Sequence, residues 1–308
     1  MQAKAILLMG PTASGKTDLA VRLCKRFPCD IISVDSALVY RGMDIGTAKP
    51  DAETLRRAPH QLIDIRDPEE SYSAGDFVRD ANAAIRASVR SGRIPLLAGG
   101  TMMYFRALTR GLADLPPADK DIRAAIDREA EQRGWPAMHD ELAKVDAETA
   151  ARLQPNDSQR IQRALEVFRV SGKTISAYQR ETAVGDDTQF IKIALQVEPR
   201  SVLHGRIEQR LDQMIADGFE DEVIGLRSRE GLHRDSPAMR AVGYRQFWAA
   251  LDGDYSRSEA RDRALYATRQ LAKRQLTWIR SESEVYSLDP LEAGAIDSIS
   301  SYLAQHLG

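Results

Sequence analysis

The sequence predicts an α/β protein with a parallel sheet flanked by helices and an all-helical insertion. Three observations lead to this fold class. Short apolar runs alternate with segments of helical periodicity, which is typical of βαβ units. The first run, 5–9, leads through a glycine-bounded loop into a helix. From about 114 to 189 the patterns are helical, and an apolar run then follows at 190–197.

The predicted strands are the apolar runs at 5–9, 31–34, 61–65, 94–98 and 190–197, with 284–288 as a candidate last strand. A helix is predicted over 73–91, because Phe77, Ala81 and Ile85 share one face and Gly92 follows as a stop signal. Segment 37–50 shows little periodicity. Loops of that length in a compact domain are usually functional.

Segment 111–118, which contains Gly111 and the pair Pro116-Pro117, is the predicted domain boundary at the start of the insertion. Helices are expected over 121–133, over 135–145 and from Ser158 to a stop at Gly172. On the last of these, Ile161, Leu165 and Phe168 form the predicted buried stripe. The sequence 185–187, Gly-Asp-Asp, then breaks the pattern. We therefore divide the chain into a P-loop-like core, 1–113 with 190–308, and a helical insertion, 114–189.

The loop after the first strand matches G-x-x-x-x-G-K-[ST]. It consists of Gly10, Pro11, Thr12, Ala13, Ser14, Gly15, Lys16 and Thr17. Glycines let backbone N–H groups turn inward, and the helix N-terminus and Lys16 add positive charge. The Thr17 hydroxyl can hold a Mg²⁺ that bridges phosphate oxygens. The pattern predicts a di- or triphosphate site without identifying the molecule that carries the phosphates.

Polar residues follow two further strands. Asp35 and Ser36 end the second, and Gly99-Gly100-Thr101 ends the fourth. Ligands of open α/β sheets bind beyond the carboxyl ends of strands, so both groups should face the phosphate loop. Asp35 can organise Mg²⁺ or accept a proton; a helix N-cap is the alternative. The two glycines permit close backbone approach to a ligand, the alternative being an ordinary strand-to-helix turn.

Charge is segregated although the net charge is only −2. Segment 152–180 has six basic and two acidic residues, and 257–280 has seven and two. Such islands favour a polyanion site, with solvated arginines on amphipathic helices as the alternative. Arg206 and Arg210, four residues apart on a helix, can clamp a polyphosphate. Segment 240–248 interleaves basic and aromatic residues, which suits RNA contact.

Composition limits the remaining classes. No apolar run reaches membrane-spanning length, and the first strand begins almost at once, so we expect no membrane partner, no signal peptide and a cytoplasmic protein. Cys24 and Cys29 are the only cysteines and are expected to be packing or surface residues, since no histidine cluster lies near them.

The phosphate loop, Asp35-Ser36 and above all the block at 40–50 resemble the tRNA dimethylallyltransferases, the bacterial tRNA isopentenyltransferase family. The similarity continues at Gly99-Gly100-Thr101, Asn156-Asp157 with Gln159-Arg160, Gly243-Tyr244 and 269–275, and it covers nearly the whole chain. Many members have Met and Gln where this chain has Ala37 and Leu38. A polar contact made by that Gln is absent here.

The resemblance implies transfer of a dimethylallyl group from dimethylallyl diphosphate to the exocyclic N6 amine of the adenosine 3′ adjacent to the tRNA anticodon. Diphosphate is released. The amine is a poor nucleophile because its lone pair is delocalised, and Asp35 is the candidate base. Lys16, Arg210 and Mg²⁺ on Thr17 would hold the charge that builds on the diphosphate. Thr101 would hydrogen-bond the amine or a phosphate oxygen.

The resemblance also implies RNA contacts from both parts of the chain. The expected residues are Asp35, Ser36, Ala37, Leu38, Thr101, Arg123, Gln159, Arg160, Ile161, Gln162, Arg163, Arg240, Tyr244, Arg245 and Lys273. The adenosine must leave its stack and enter a pocket for chemistry on its edge. We expect the insertion to grip the anticodon stem-loop, and we expect a monomer.

Two other function classes share some of these features. A small-molecule kinase would bind ATP at the same loop and could use Asp35 as its base, but it has no use for two large basic and aromatic segments. A non-catalytic RNA-binding module would leave the phosphate loop unexplained.

Overall fold

The computed structural model describes residues 3–181 and 188–307. Over these residues a six-stranded parallel sheet forms in the order β3-β2-β4-β1-β5-β6. The strands are β1 (Ala3–Met9), β2 (Cys29–Val34), β3 (His60–Gln61), β4 (Ile94–Gly99), β5 (Thr188–Leu195) and β6 (Val285–Leu288). The predicted parallel α/β fold is confirmed.

Helices connect and cover the strands. They are α1 (Lys16–Cys24), α2 (Ala52–Arg57), α3 (Ala74–Arg90), α4 (Met102–Arg110), α5 (Lys120–Arg133), α6 (Trp135–Val145), α7 (Ala147–Ala150), α8 (Ser158–Ser171), α9 (Ile175–Arg180), α10 (Arg200–Ala216), α11 (Phe219–Arg227), α12 (Tyr244–Leu251), α13 (Arg257–Arg280) and α14 (Ala295–Leu307), with a 3₁₀ turn at Ala238–Arg240. No helix in the described ranges has the length and apolar content to cross a membrane.

The described chain forms two compact units. The first contains the residues up to 109 and those from 188 onward, and the second contains residues 110–181. The second unit therefore starts four residues before the predicted insertion, and β5 starts at Thr188, before the predicted return to the sheet. The predicted break at 185–187 lies outside the described residues.

Both faces of the sheet are buried, which explains why its strands are continuous apolar runs. In β1, Leu7 and Met9 join one apolar cluster and Ile6 and Leu8 join another. Alternate residues of a strand point to opposite faces, so helices must cover each side. The expectation that the cysteines serve packing agrees with Cys29, which is 2% exposed in the second cluster.

One strand is much shorter than predicted. The run 61–65 contributes only Gln61 to β3, because Leu62 and Asp64 have φ values of 62° and 55°. Their left-handed conformation bends the chain away from β2. The backbone N–H groups of Asp64 and Ile65 then donate to Leu38 and Val39 at 3.2 and 2.9 Å. This segment therefore supports the long loop after β2.

The second unit is all-helical and has its own core. The predicted helices at 121–133, 135–145 and from Ser158 are observed as α5, α6 and α8, and Gly172 ends α8 with φ 70°. Its fully buried side chains include Ile126, Met138, Leu142 and Ile161. Start and stop signals in the sequence were sufficient to predict these three helices.

Candidate active site

The site lies at the carboxyl edge of the sheet in the first unit. Met9, at the end of β1, is in register with Gly99 of β4, and Gly99 is in register with Val34 of β2. The loops that follow these strands therefore begin side by side. Together with α10 and α13 they surround a cavity of about 710 Å³, whose wall includes Lys16, Asp35 and Arg210.

The phosphate loop has the backbone that its sequence predicts. Ala13 and Gly15 have φ values of 62° and 90°, and Gly15 is the N-cap of α1. At Gly10 a Cβ would lie 2.7 Å from the Ser14 hydroxyl, so only glycine fits there without a shift. Ser14 Oγ is buried and has no hydrogen-bond partner among the described residues. A buried, unpaired hydroxyl in this loop fits a bound anion better than an empty loop.

Two side chains from distant helices fasten the loop. The Gln275 carboxamide accepts from the Thr12 N–H at 2.9 Å and donates to the Gly100 carbonyl at 2.8 Å. Arg206 donates to the Ala13 carbonyl at 2.8 Å. Gln275 thus joins the ends of two glycine loops. Gln275 belongs to the family pattern at 269–275, but its role could not be predicted, since nothing local reveals a contact across 263 positions.

Lys16 donates from Nζ to the Pro11 carbonyl at 2.7 Å. Burial of the ammonium group, together with the nearby positive charge of Arg210, lowers the pKa of Lys16 from 10.5 to about 7, while Asp35 opposes the shift. Burial also lowers the pKa of Arg210, and Asp35 again opposes the shift. Two basic groups are therefore buried close together in one wall of the cavity, and a polyanionic ligand would favour their charged forms.

Asp35 has one carboxylate oxygen engaged and one available. Its Oδ1 accepts from the N–H groups of Ala37 and Leu38 at 2.8 and 3.3 Å within a turn; no helix begins there in the described chain, so the N-cap alternative is wrong. Its Oδ2 has no hydrogen-bond partner in the parts of the chain that the structure describes. Thr101 Oγ1 accepts from the Ser36 N–H at 3.1 Å. These bonds fix the turn that presents Asp35 to the cavity.

The close contact of β2 and β4 depends on glycine. A Cβ at Gly99 would lie 2.0 Å from the Val34 carbonyl oxygen, and one at Gly100 would lie 2.5 Å from Gln275 Nε2. At these glycines, the groups that approach closely are the protein's own backbone and Gln275. Gly99 and Gly100 also line the cavity.

Tyr244 differs from its expected role. It is fully buried, its ring packs edge-on against Phe219, and its hydroxyl donates to Glu222 at 2.5 Å. It therefore forms part of the cavity wall and does not present the free ring that base stacking requires. Alternating basic and aromatic residues do not distinguish a ring that stacks on RNA bases from a buried ring, because buried helices show the same pattern. Glu222 had not been predicted at all.

Arg240, Arg245 and Lys273 are exposed, as RNA contacts require. No ion pair is found for any of the three within the described ranges. Arg240 and Arg245 flank Ala241, Val242 and Gly243, which line the cavity.

In the second unit the predicted RNA contacts divide into two groups. The guanidinium groups of Arg123 and Arg163 bind the fully buried carboxylate of Glu166 at 2.9 and 2.7 Å. Arg160 is 73% exposed beside Asp157. Ile161 is fully buried in the core, which corrects the expectation that its side chain contacts RNA. Its place in the apolar stripe already indicated this.

The described residues contain no cluster of three or more His, Cys, Asp or Glu side chains arranged to hold a metal ion. Thr17 and Asp35 nevertheless both face the cavity with oxygen donors. This sparse oxygen set fits Mg²⁺, which usually takes one or two protein ligands and completes its shell with water and substrate phosphates.

Comparisons with known proteins agree with each other. The family model described as IPP transferase matches residues 38–282. A tRNA dimethylallyltransferase of Thiobacillus denitrificans is 55% identical over 304 residues, which cover 99% of this chain and 97% of that protein.

Solved structures give the same result. A full-length tRNA isopentenylpyrophosphate transferase of Bacillus halodurans has 38% identity and a TM-score of 0.74, with 99% of this chain and 97% of that chain covered. A eukaryotic dimethylallyltransferase, determined acting on tRNA, has 27% identity and a TM-score of 0.81, with 98% and 77% covered.

Proposed function

The chain belongs to the IPP transferase family, and from that premise we propose that it transfers a dimethylallyl group from dimethylallyl diphosphate to tRNA. The acceptor is the N6 amine of the adenosine 3′ adjacent to the anticodon. One observation carries the proposal at the level of the site: a single cavity brings together the phosphate loop, Asp35 and Arg210. The small-molecule kinase gains no support from the relatives.

We assign the diphosphate to the loop amides, Lys16 and Arg210. Arg206 steadies the loop through the Ala13 carbonyl. As the bond between the prenyl C1 and the diphosphate oxygen breaks, negative charge grows on the leaving group. Fixed cations and N–H groups in a cavity stabilise that charge more than water does. Mg²⁺, when bound through Thr17, would supply further charge neutralisation there.

We assign Asp35 as the base. The new bond joins the adenine N6 to the prenyl C1, and N6 then loses a proton. Oδ2 of Asp35 is available to accept it, while Oδ1 keeps the side chain oriented through Ala37 and Leu38. A carboxylate already held by two N–H groups needs little reorganisation to act.

We also propose that the helical unit grips the anticodon stem-loop and that the enzyme acts as a monomer in the cytoplasm. Exposed arginines such as Arg160 support the contact with RNA. Arg123 and Arg163 then serve mainly to brace the unit, through Glu166.

The direct test is incubation with labelled dimethylallyl diphosphate and unmodified tRNA in the absence of ATP. We expect label in the tRNA, and no transfer to a tRNA that carries guanosine at the acceptor position. ATP consumption on a metabolite, without label in tRNA, would instead establish the kinase.

Replacement of Asp35 by Asn should separate binding from chemistry. The amide keeps the side chain's size but cannot accept the proton, so turnover should fall by about 10² to 10⁴ while tRNA affinity changes little. Single-turnover rates at two Mg²⁺ concentrations provide the measurement. Recovery of the rate at high Mg²⁺ would show that Asp35 serves the metal and would remove it from the role of base.

A further inference from the structure

Glu222, in the first turn of α11, binds the long loop after β2 through one carboxylate. Its oxygens accept from the N–H groups of Asp44, Ile45 and Gly46 at 2.8, 2.7 and 3.1 Å. The hydroxyl of Tyr244 donates to the same carboxylate at 2.5 Å. Four donors on one carboxylate are a strong, directional attachment, because hydrogen bonds to a charged acceptor are about twice as strong as neutral ones.

The surroundings leave the loop little freedom at this point. A Cβ at Gly46 would lie 2.1 Å from the Phe219 ring and 2.7 Å from the Tyr244 ring. The loop therefore packs directly on the two aromatic rings beside Glu222. At the other end of the loop, Lys49 is 5% exposed and binds the carboxylates of Asp44 and Asp64 at 2.6 and 2.5 Å.

The attached segment continues to the candidate active site. The carbonyl of Thr47, one residue beyond Gly46, accepts from Arg210 Nη2 at 3.2 Å. Gly46, Thr47 and Ala48 all line the cavity. The position of Glu222 is thus transmitted through three backbone N–H groups to the carbonyl that orients Arg210.

We propose that Glu222, supported by Tyr244, is a positioning residue that holds Arg210 in its diphosphate-binding orientation through the Thr47 carbonyl. This inference rests on the proposed function, since it assigns Arg210 to the diphosphate. Glu222 itself does not touch the reacting groups. Its loss should weaken diphosphate binding because a mobile Thr47 carbonyl no longer restrains the guanidinium group.

The test is calorimetric titration of the full-length protein with inorganic pyrophosphate, together with thermal unfolding. Glu222→Gln should weaken pyrophosphate binding by about tenfold, roughly the worth of one hydrogen bond to a charged group. Tyr244→Phe removes one donor of four and should have a smaller effect in the same direction. Asp221→Asn is the matched control, because Asp221 is an exposed neighbour on α11 and its replacement removes the same charge. This substitution should leave pyrophosphate binding unaltered.

A double-mutant cycle distinguishes positioning from general destabilisation. If Glu222 acts through Arg210, then Glu222→Gln combined with Arg210→Ala should bind pyrophosphate as Arg210→Ala alone does, within about twofold. If the two substitutions reduce pyrophosphate affinity independently, so that the fold losses multiply in the double variant, the inference is wrong. Unchanged binding in both Glu222→Gln and Tyr244→Phe would also overturn it. If Glu222→Gln does not fold, the cycle is run with Tyr244→Phe. Failure of the wild-type protein to bind pyrophosphate would count against the proposed function instead.

Discussion

At the scale of single residues, the pKa of Lys16 links the site to pH. The folded state holds this pKa near 7, whereas the unfolded chain has the ordinary value of 10.5. Between these values only the unfolded state carries the proton, so the free energy of unfolding rises with pH across that window. A bound diphosphate favours the charged lysine. Binding above pH 7 should therefore take up a proton.

Calorimetry can measure this proton. At pH 8, pyrophosphate titrations of the wild-type protein in buffers of different ionisation enthalpy should show more proton uptake than those of Lys16→Ala. The variant should also bind pyrophosphate weakly and have almost no turnover, since the loop loses its only lysine. Equal proton uptake by the two proteins would mean that Lys16 is already charged in the free enzyme.

At the scale of elements, α8 shows how a buried charge can organise a helical unit. Burial alone would raise the pKa of Glu166, but its hydrogen bonds with Arg123 and Arg163 and with the Asp119 N–H keep that pKa below its usual range. The carboxylate therefore stays ionised in the interior and ties α8 to the start of α5. Glu166, Arg123 and Arg163 depend on one another, because removal of one of these side chains takes a partner away from the opposite charge.

Replacement of Glu166 by Ala should destabilise the helical unit by about 3 kcal/mol. Glu148→Ala is the control, because Glu148 pairs with Arg180 on an exposed surface and should cost less than about 1 kcal/mol. Denaturant unfolding, with hydrogen exchange on α5 and α8, gives both values. Equal effects of the two substitutions would show that the buried network adds nothing to stability.

Periodicity predicted α8 but not its charged interior. Ile161 and Leu165 are buried as their spacing predicts, whereas Phe168 of the same predicted stripe is only half-buried and Glu166 is fully buried. An apolar stripe gives the orientation of a helix. It does not reveal that arginines 3 and 43 positions away make an interior carboxylate favourable.

The same limit applies to the site. Lys16 and Asp35 could be predicted because a local motif and a strand end place them. Glu222 and Gln275 could not, because the loop backbone groups that they bind lie 176 or more and 175 or more positions away. Side chains that hold loops in place act through backbone atoms, so the residues around them in the sequence do not reveal which loop they bind.

At the scale of the whole molecule, the polarity of the sheet separates the two ends of the first unit. Arg240 and Arg245 flank cavity residues at the carboxyl edge. Arg22 and Arg90 lie in the last turns of α1 and α3, which lead to the amino ends of β2 and β4. A parallel sheet thus places equal charges at opposite ends, and in the proposed function only the carboxyl end faces the RNA substrate.

Salt dependence should reveal this polarity. Each phosphate contact with single-stranded RNA contributes about 0.7 to the slope of log K against log salt concentration. The double substitution Arg240→Ala with Arg245→Ala should therefore reduce that slope by about 1 to 2 in tRNA binding, and Arg22→Ala with Arg90→Ala should leave it unchanged. Equal slopes in both double variants would remove the two residues from the RNA interface.

The contacts of Gln275 mean that the phosphate loop is completed late in protein synthesis. Gln275 accepts a hydrogen bond from the Thr12 N–H, and the ribosome makes Thr12 263 residues before it makes Gln275. Until Gln275 is made, a nascent chain carries the complete phosphate-loop sequence, but Gln275 cannot yet join that loop to Gly100. The two glycine loops of the cavity are therefore joined to each other by Gln275 only after α13 has been synthesised.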